Sequence, residues 1–167
     1  MNREILFKAK RKSWKELPKE EWWVEGYLFD DGMPEPKHYF IGGIIVKPYE
    51  GTACDKWNVV GIDFCEIDIN TLCQYTGLTD KDGKKIWEND ILRYSYDYDG
   101  SPFLKDGEEI KYRVGAVFWS EWRGSWAVCG RGNKKCTNND VFKYNRNPNR
   151  AEVIGNIFDN PELLEVE

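Results

Sequence analysis

Apolar and polar residues alternate at every second position over most of this chain, which is the pattern of half-buried β-strands. The N-terminal half contains four such runs, at residues 4–10, 22–28, 38–46 and 57–64. Gly42 and Gly43 lie inside the third run and predict a bulge or a sharp bend there, because glycine weakens a regular strand. The first half is therefore predicted to consist of short strands.

The second half continues the same pattern, in runs at residues 86–98, 110–119, 125–129 and 153–158. The first of these is predicted as one strand, with one face formed by Leu92, Tyr94, Tyr96 and Tyr98. Asp82 and Gly83 precede it and predict a tight hairpin turn, because glycine accepts the positive φ that such a turn requires.

Helical signals are short in this sequence. Residues 68–73 predict a single helical turn that starts near Asn70 or Thr71. Near the C-terminus, Asn160 followed by Pro161 predicts a short helix whose free N–H groups Asn160 caps.

The fold class predicted from these patterns is all-β. Short antiparallel strands are expected to form one or two small barrels, followed by a short C-terminal helix. The domain prediction is an N-terminal β subdomain at residues 1–73 and a C-terminal β-barrel subdomain at residues 74–167. With eight Trp, nine Tyr and eight Phe, rings are expected to fill much of the core, since each buries a large area.

No apolar run approaches the ~20 residues that a membrane-spanning helix needs, so no membrane association is expected. Arg3, Glu4 and Lys8 interrupt the apolar residues at the start, so no signal peptide is expected either. The five cysteines show no C-x-x-C spacing, and their odd number excludes a complete set of internal disulfides. The sequence therefore predicts a reduced cytosolic protein with buried free thiols.

Positive charge is concentrated in two segments, although the net charge is −5. Residues 1–15 contain six Lys or Arg and one Glu, and residues 130–150 contain six Lys or Arg and one Asp, so each segment carries +5. If the two segments meet in space, they would form a phosphate-binding face. The alternative is a pair of solvated loops.

Catalytic and metal-binding candidates are few. His38 is the one histidine, and it is interpreted as a core or edge residue rather than a general base or a zinc ligand beside three cysteines. Glu88 and Asp90 would share a face on a strand, which suits a metal or a general acid/base pair, but a turn held by side-chain bonds to the backbone is favoured. Asp80 and the residues after it resemble a calcium loop only superficially, because the later ligands are missing.

The residues at both ends and in the middle of the chain resemble the YopX-like family of phage and prophage proteins. The segments that carry the resemblance are Arg3-Glu4-Ile5, Phe7-Lys8-Ala9, Gly26-Tyr27-Leu28, the signature from Gln74-Tyr75-Thr76-Gly77-Leu78 to Asp90-Ile91, Gly115 to Trp119, and Glu152 to Leu164. Asn89 stands where the family usually has glycine, so positive φ is expected there.

The resemblance implies an all-β fold, with an SH3-like or related barrel in the C-terminal half, and an origin in a phage or prophage. It implies no established activity. The expected location is the cytoplasm of the bacterial host cell.

The function predicted from these observations is a non-enzymatic phage accessory protein that acts as a binding or regulatory module. No catalytic residue, cofactor or metal is expected. The partner is predicted to be a host or phage protein, or else nucleic acid, and the chain is expected to form homo-oligomers. A role in virion assembly is a further alternative. The predicted binding face combines aromatic rings with basic side chains, at Tyr94, Tyr96, Trp122, Arg123, Trp126, Lys134, Lys135, Arg146 and Arg150.

Overall fold

The computed structural model is all-β, as the alternation predicts, and it describes residues 4–48, 57–95, 105, 107–129 and 151–165. Within those residues, ten strands form two antiparallel sheets, and four short 3₁₀ helices connect or follow them. The chain divides into two compact units, Ile5–Gln74 and Tyr75–Glu167 together with Met1–Glu4. The sequence analysis placed its boundary after residue 73.

The N-terminal unit contains four strands and the start of a fifth. They are β1 (Phe7–Lys10), β2 (Trp23–Asp30), β3 (Tyr39–Pro48), β4 (Trp57–Glu66) and the beginning of β5 (Cys73–Thr79). Neighbouring strands run in the order β4, β3, β2, β1, β5, and every pair is antiparallel. The core of this unit is small and centres on Ala9, Ile41 and Ile67, which are almost completely buried.

The glycine pair in β3 does not form the bulge that the sequence predicts. The pairing of β3 with β4 runs without a shift through Gly42 and Gly43, and the irregularity lies later, between Ile45 and Val46. The prediction was therefore wrong about the position of the bulge. The absence of side chains at the two glycines instead makes room on each face of the sheet.

The C-terminal unit contains the end of β5 and five further strands. They are β6 (Lys85–Trp87), β7 (Asp90–Ser95), β8 (Tyr112–Ser120), β9 (Ser125–Cys129) and β10 (Ala151–Asn156). β7 to β10 form a four-stranded sheet in the order β10, β7, β8, β9. The core of this unit contains Ile86, Leu92, Tyr94, Val117, Trp126, Val128 and Ala151.

The single strand predicted at residues 86–98 is divided. β6 ends at Trp87, a turn follows at Glu88 and Asn89, and β7 begins at Asp90. Asn89 has φ 65°, which confirms the positive φ expected at this position. The turn at Gly83 is also confirmed, with φ 82°. A period-2 pattern continues across such a turn, so alternation alone did not reveal the division.

The four short helices are 3₁₀ turns, at Trp14–Glu16, Lys19–Glu21, Ile69–Thr71 and Pro161–Leu164. The helical turn predicted within residues 68–73 is confirmed, whereas the cap predicted at Asn160 was wrong. Asp68 caps the third turn by accepting a hydrogen bond from the Asn70 N–H, and the side chain of Asn160 forms no capping bond to the fourth. The backbone of Asn160 forms a hydrogen bond instead, since its N–H donates to the Asn156 carbonyl oxygen.

The strands that the structure describes form open sheets, and no closed barrel is found among them. The SH3-like character of the C-terminal half stays a prediction. No helix in the described part of the chain is long and apolar enough to cross a membrane.

Candidate binding surfaces

In the central motif at residues 74–91, buried polar side chains form hydrogen bonds with backbone groups. Gly77, at φ 82°, lies in the irregularity where β5 pairs with β6. Beside it, the buried hydroxyl of Thr76 donates to the Ile86 carbonyl oxygen at 2.7 Å and accepts from the Leu78 N–H at 3.2 Å. Thr76 therefore satisfies backbone groups that the irregularity leaves unpaired.

The carboxylate of Asp80 has the same kind of role. One oxygen accepts from the N–H groups of Asp82 and Lys84, both at 2.9 Å, and the other accepts from the Val153 N–H at 3.0 Å. Asp80 is buried, and both of its oxygens already have donors. This turn is thus held by backbone donors, and no group of His, Cys, Asp or Glu able to hold a metal occurs in the described residues.

Glu88 and Asp90 do not form a pair on one strand face. Asp90 is buried, and its carboxylate accepts from the Trp87 N–H at 2.8 Å across the turn. Asn89 adds two backbone bonds, donating its N–H to Val117 and accepting from Ile157. The favoured interpretation, a turn stabilised by side-chain bonds to backbone, is confirmed.

His38 lies just before β3 and is half exposed, with Nδ1 at 2.9 Å from Oδ2 of Asp31. The carboxylate of Asp31 accepts a hydrogen bond from the Met33 N–H. This bond, with contributions from His38, holds the pKa of the Asp31 carboxyl below its usual value. The pair therefore closes the turn between β2 and β3.

The prediction that all cysteines are free thiols holds for two of the described cysteines and fails for one. Cys65 and Cys73 form no disulfide, and Cys73 is buried, as expected. Cys129, the last residue of β9, is disulfide-bonded, which corrects the prediction for that residue. Cys54 and Cys136 lie outside the described residues.

The residues of the predicted aromatic and basic face lie in different environments. Tyr94 and Trp126 are 1% and 2% exposed, so their rings belong to the core of the C-terminal unit. Trp122 lies in the turn between β8 and β9 and is 72% exposed, with the Arg123 guanidinium 5.1 Å from its ring centroid. The other members, Tyr96, Lys134, Lys135, Arg146 and Arg150, lie outside the described residues.

A cluster that the sequence analysis missed surrounds Lys10. Its side chain is buried, and Nζ lies 4.0 Å, 4.6 Å and 5.5 Å from the ring centroids of Trp14, Trp22 and Trp23. Three further lysines approach the same rings, Lys8 over Trp23, Lys15 over Trp14 and Lys19 over Trp22. Three of the four lysines in the first basic segment, Lys8, Lys10 and Lys15, therefore contact rings of their own chain by cation–π interaction.

A second feature missed from the sequence is an apolar face on the N-terminal sheet, which we call the outer face. It comprises five large side chains that are 44–66% exposed, Tyr27, Phe29, Ile44, Ile62 and Phe64. The register places them on one side, because Ile44 is opposite Ile62, and Tyr27 and Phe64 both flank Gly42.

Gly42 explains how the outer face is assembled. A Cβ on Gly42 would lie 2.6 Å from Cδ1 of Phe64 and inside van der Waals contact of the Asp63 carbonyl oxygen. The Phe64 ring therefore occupies the space above Gly42, where it meets Phe29 edge to face at a centroid distance of 4.9 Å. Alternation in β2 and β4 could have predicted the shared face, but not its exposure.

Comparison with known proteins gives a matching family model and a solved structure to which the chain is similar. The family model described as YopX protein matches residues 33–165. Among solved structures, the crystal structure of protein EF1440 from Enterococcus faecalis is similar, with 21% identity, a TM-score of 0.48, and coverage of 98% of this chain and 99% of that chain. No curated protein matches the sequence.

Proposed function

Since this chain belongs to the YopX protein family, for which the resemblance implies no established activity, we propose that it is a non-enzymatic phage or prophage binding module. In this proposal the outer face and the adjacent strand β4 dock an extended apolar segment of a protein partner. The observation that carries the proposal is the continuous apolar surface that reaches the edge of the sheet.

The size of the outer face supports docking. Five large side chains, each about half exposed, leave on the order of 500 Å² of apolar surface. The largest apolar patch on a monomer is typically about 300–600 Å² and is often functional. Covering this surface would remove apolar area from water, which is the main driving force of association.

The position of the outer face supports an extended partner. In the part of the chain that the structure describes, β4 pairs with β3 and with no other strand. Its second edge therefore offers backbone N–H and C=O groups to an added strand. Ile62 and Phe64 alternate along that edge, so a segment with apolar residues at every second position would place them beside these two side chains.

The non-enzymatic part of the proposal draws on the family signature. Thr76, Asp80 and Asp90 are its buried polar residues, and each forms side-chain hydrogen bonds with backbone groups. Side chains that form hydrogen bonds with backbone groups stabilise the turns that contain them. The signature is therefore better explained by folding than by chemistry on a substrate.

Nucleic acid is the competing partner. The basic segments support it, but in the first segment Lys8, Lys10 and Lys15 contact tryptophan rings that a base would otherwise stack upon. That segment would act mainly through phosphate contacts, which weaken steeply with salt. A role in assembly would require a second copy of the chain on the outer face.

The test is a pull-down from lysate of the bacterial host, divided into nuclease-treated and untreated halves. Ile62→Lys places a charge in the outer face, and Ile5→Lys is the matched control, since Ile5 is similarly exposed at 58% but lies outside that face. We expect a protein retained by the wild type and by Ile5→Lys in both halves, and lost with Ile62→Lys.

Three results would contradict the proposal. Retention by Ile62→Lys would show that the outer face is not the docking surface. Loss of the partner with nuclease would favour nucleic acid. A discrete oligomer of the purified chain that Ile62→Lys dissociates would identify the occupant as a second copy.

A further inference from the structure

The N-terminal unit also contains a hollow of about 320 Å³. Its lining includes Arg11, Val24, Ile41, Gly43, Asp63 and Cys65, together with Tyr27 and Ile44 from the outer face. Ile41 is paired with Cys65 and Gly43 with Asp63, so these four residues share one face. The hollow is large enough for a small organic ligand.

Gly43 creates much of this space. A Cβ added at Gly43 would meet no atom within 4 Å, so the volume above it is open. Val24 and Ile45 supply an apolar floor around the gap. The hollow therefore combines an apolar base with charged groups at its rim.

Arg11 is held at one end in a fixed orientation. Nε donates to the Glu21 carbonyl oxygen at 3.0 Å, and Nη1 contacts the Cys65 sulfur at 3.1 Å. A guanidinium has five N–H donors, so three remain for a ligand. No carboxylate in the described part of the chain forms a salt bridge with Arg11. An oriented guanidinium with free donors is suited to a carboxylate.

Asp63 supplies the opposite charge further along the hollow. It is two residues from Cys65 on the same strand face, a separation of about 7 Å. Its side chain is exposed and has no hydrogen bond or ion pair with the described residues. The hollow thus presents a cation and an anion at two positions above one apolar floor.

We propose that this hollow binds a small zwitterion, an α-amino acid with an apolar side chain. Its carboxylate would bond Arg11, its ammonium group would bond Asp63, and its side chain would cover the floor at Gly43. Glu25 also lines the hollow, and with Asp63 it disfavours a phosphate dianion.

Three probes test the ligand chemistry by titration calorimetry on the full chain. L-leucine carries both charges, leucinamide lacks the carboxylate, and N-acetyl-leucine lacks the ammonium group. We expect leucine to bind and each analogue to bind at least about tenfold more weakly, the loss of one charged hydrogen bond. Absence of leucine binding at millimolar concentration would overturn the proposal, as would equal binding of all three.

Two variants test the location. Gly43→Val fills the open space without touching a charge, and Asp63→Asn removes the anion. Both should lower leucine affinity at least about tenfold, while Asp82→Asn, an exposed aspartate in the other unit, should leave it unchanged. Unchanged affinity in the first two variants would overturn the site. Circular dichroism and the unfolding temperature show that each variant is folded, and neither readout depends on a protein partner at the outer face.

Discussion

The carboxylate of Asp80 accepts a hydrogen bond from the Val153 N–H at 3.0 Å, although the two residues are 73 positions apart in sequence. The same side chain closes the turn before β6. One buried group therefore ties the family signature to β10, the strand that completes the C-terminal sheet.

Asp80→Ala should destabilise the protein strongly. It leaves the N–H groups of Asp82, Lys84 and Val153 without their acceptor, and a single bond to a charged group contributes about 1.5–3 kcal/mol. We expect a loss of at least about 2 kcal/mol in the free energy of unfolding, measured by urea denaturation. The control Asp82→Ala changes an exposed side chain of the same turn and should stay within about 0.5 kcal/mol. Equal losses would contradict the anchoring role.

Gly42 and Gly43 should respond very differently to alanine. At Gly42 the new Cβ would collide with Phe64 and the Asp63 backbone, whereas at Gly43 it would enter open space. Overpacking of this kind costs about 1–3 kcal/mol, so Gly42→Ala should lower the unfolding free energy by that amount. Gly43→Ala should leave it within about 0.5 kcal/mol of the wild type. Denaturation curves of the two variants, measured side by side, decide this, and similar values would count against the packing of Phe64 on Gly42.

The positive φ at Asn89 predicts an order among substitutions. Glycine adopts this conformation freely, whereas a residue with a Cβ is disfavoured by about 1–2 kcal/mol. Asn89→Ala and Asn89→Gly both remove the amide, so their difference isolates the backbone effect. We expect the glycine variant to be more stable by about 1 kcal/mol in thermal or urea unfolding. An alanine variant that equals or exceeds it would exclude strain at this turn.

Glu152 provides a prediction on pH. Its hydrogen bond with Arg93, supported by the charge of Lys81, lowers the pKa of the carboxyl below its usual 4.5. Because the folded pKa is the lower one, the stabilisation is complete above the unfolded pKa and is lost as pH falls through the folded pKa. Glu152→Gln should therefore cost up to about 1 kcal/mol at neutral pH and nothing well below pH 4.5.

High salt should reduce the effect of Glu152→Gln at neutral pH, because the pair is partly exposed and screened. The control is Glu109→Gln, an exposed glutamate outside the strands, whose effect should be small at every pH. A Glu152→Gln cost that is constant with pH would mean that the interaction is not electrostatic.

Local patterns in the sequence were enough for the fold class and several turns. Alternation identified the strands because a strand repeats every two residues. Gly83 marked a turn because few residues tolerate positive φ, and the resemblance to the family marked Asn89 for the same reason. The signature segments identified the YopX family, and the match over residues 33–165 confirms it.

What only the tertiary structure decided is which faces are covered. Alternation places Tyr94 on a face, but the same pattern serves a buried ring and an exposed one, and Tyr94 lies in the core. Tyr27 and Phe64, by contrast, are exposed on the outer face. Alternation predicts Lys10 at the surface, but in the structure Trp14 and Trp22 lie against its side chain. The period of a strand is set by its own backbone, whereas burial depends on distant segments that pack against it, as Val153 does at Asp80.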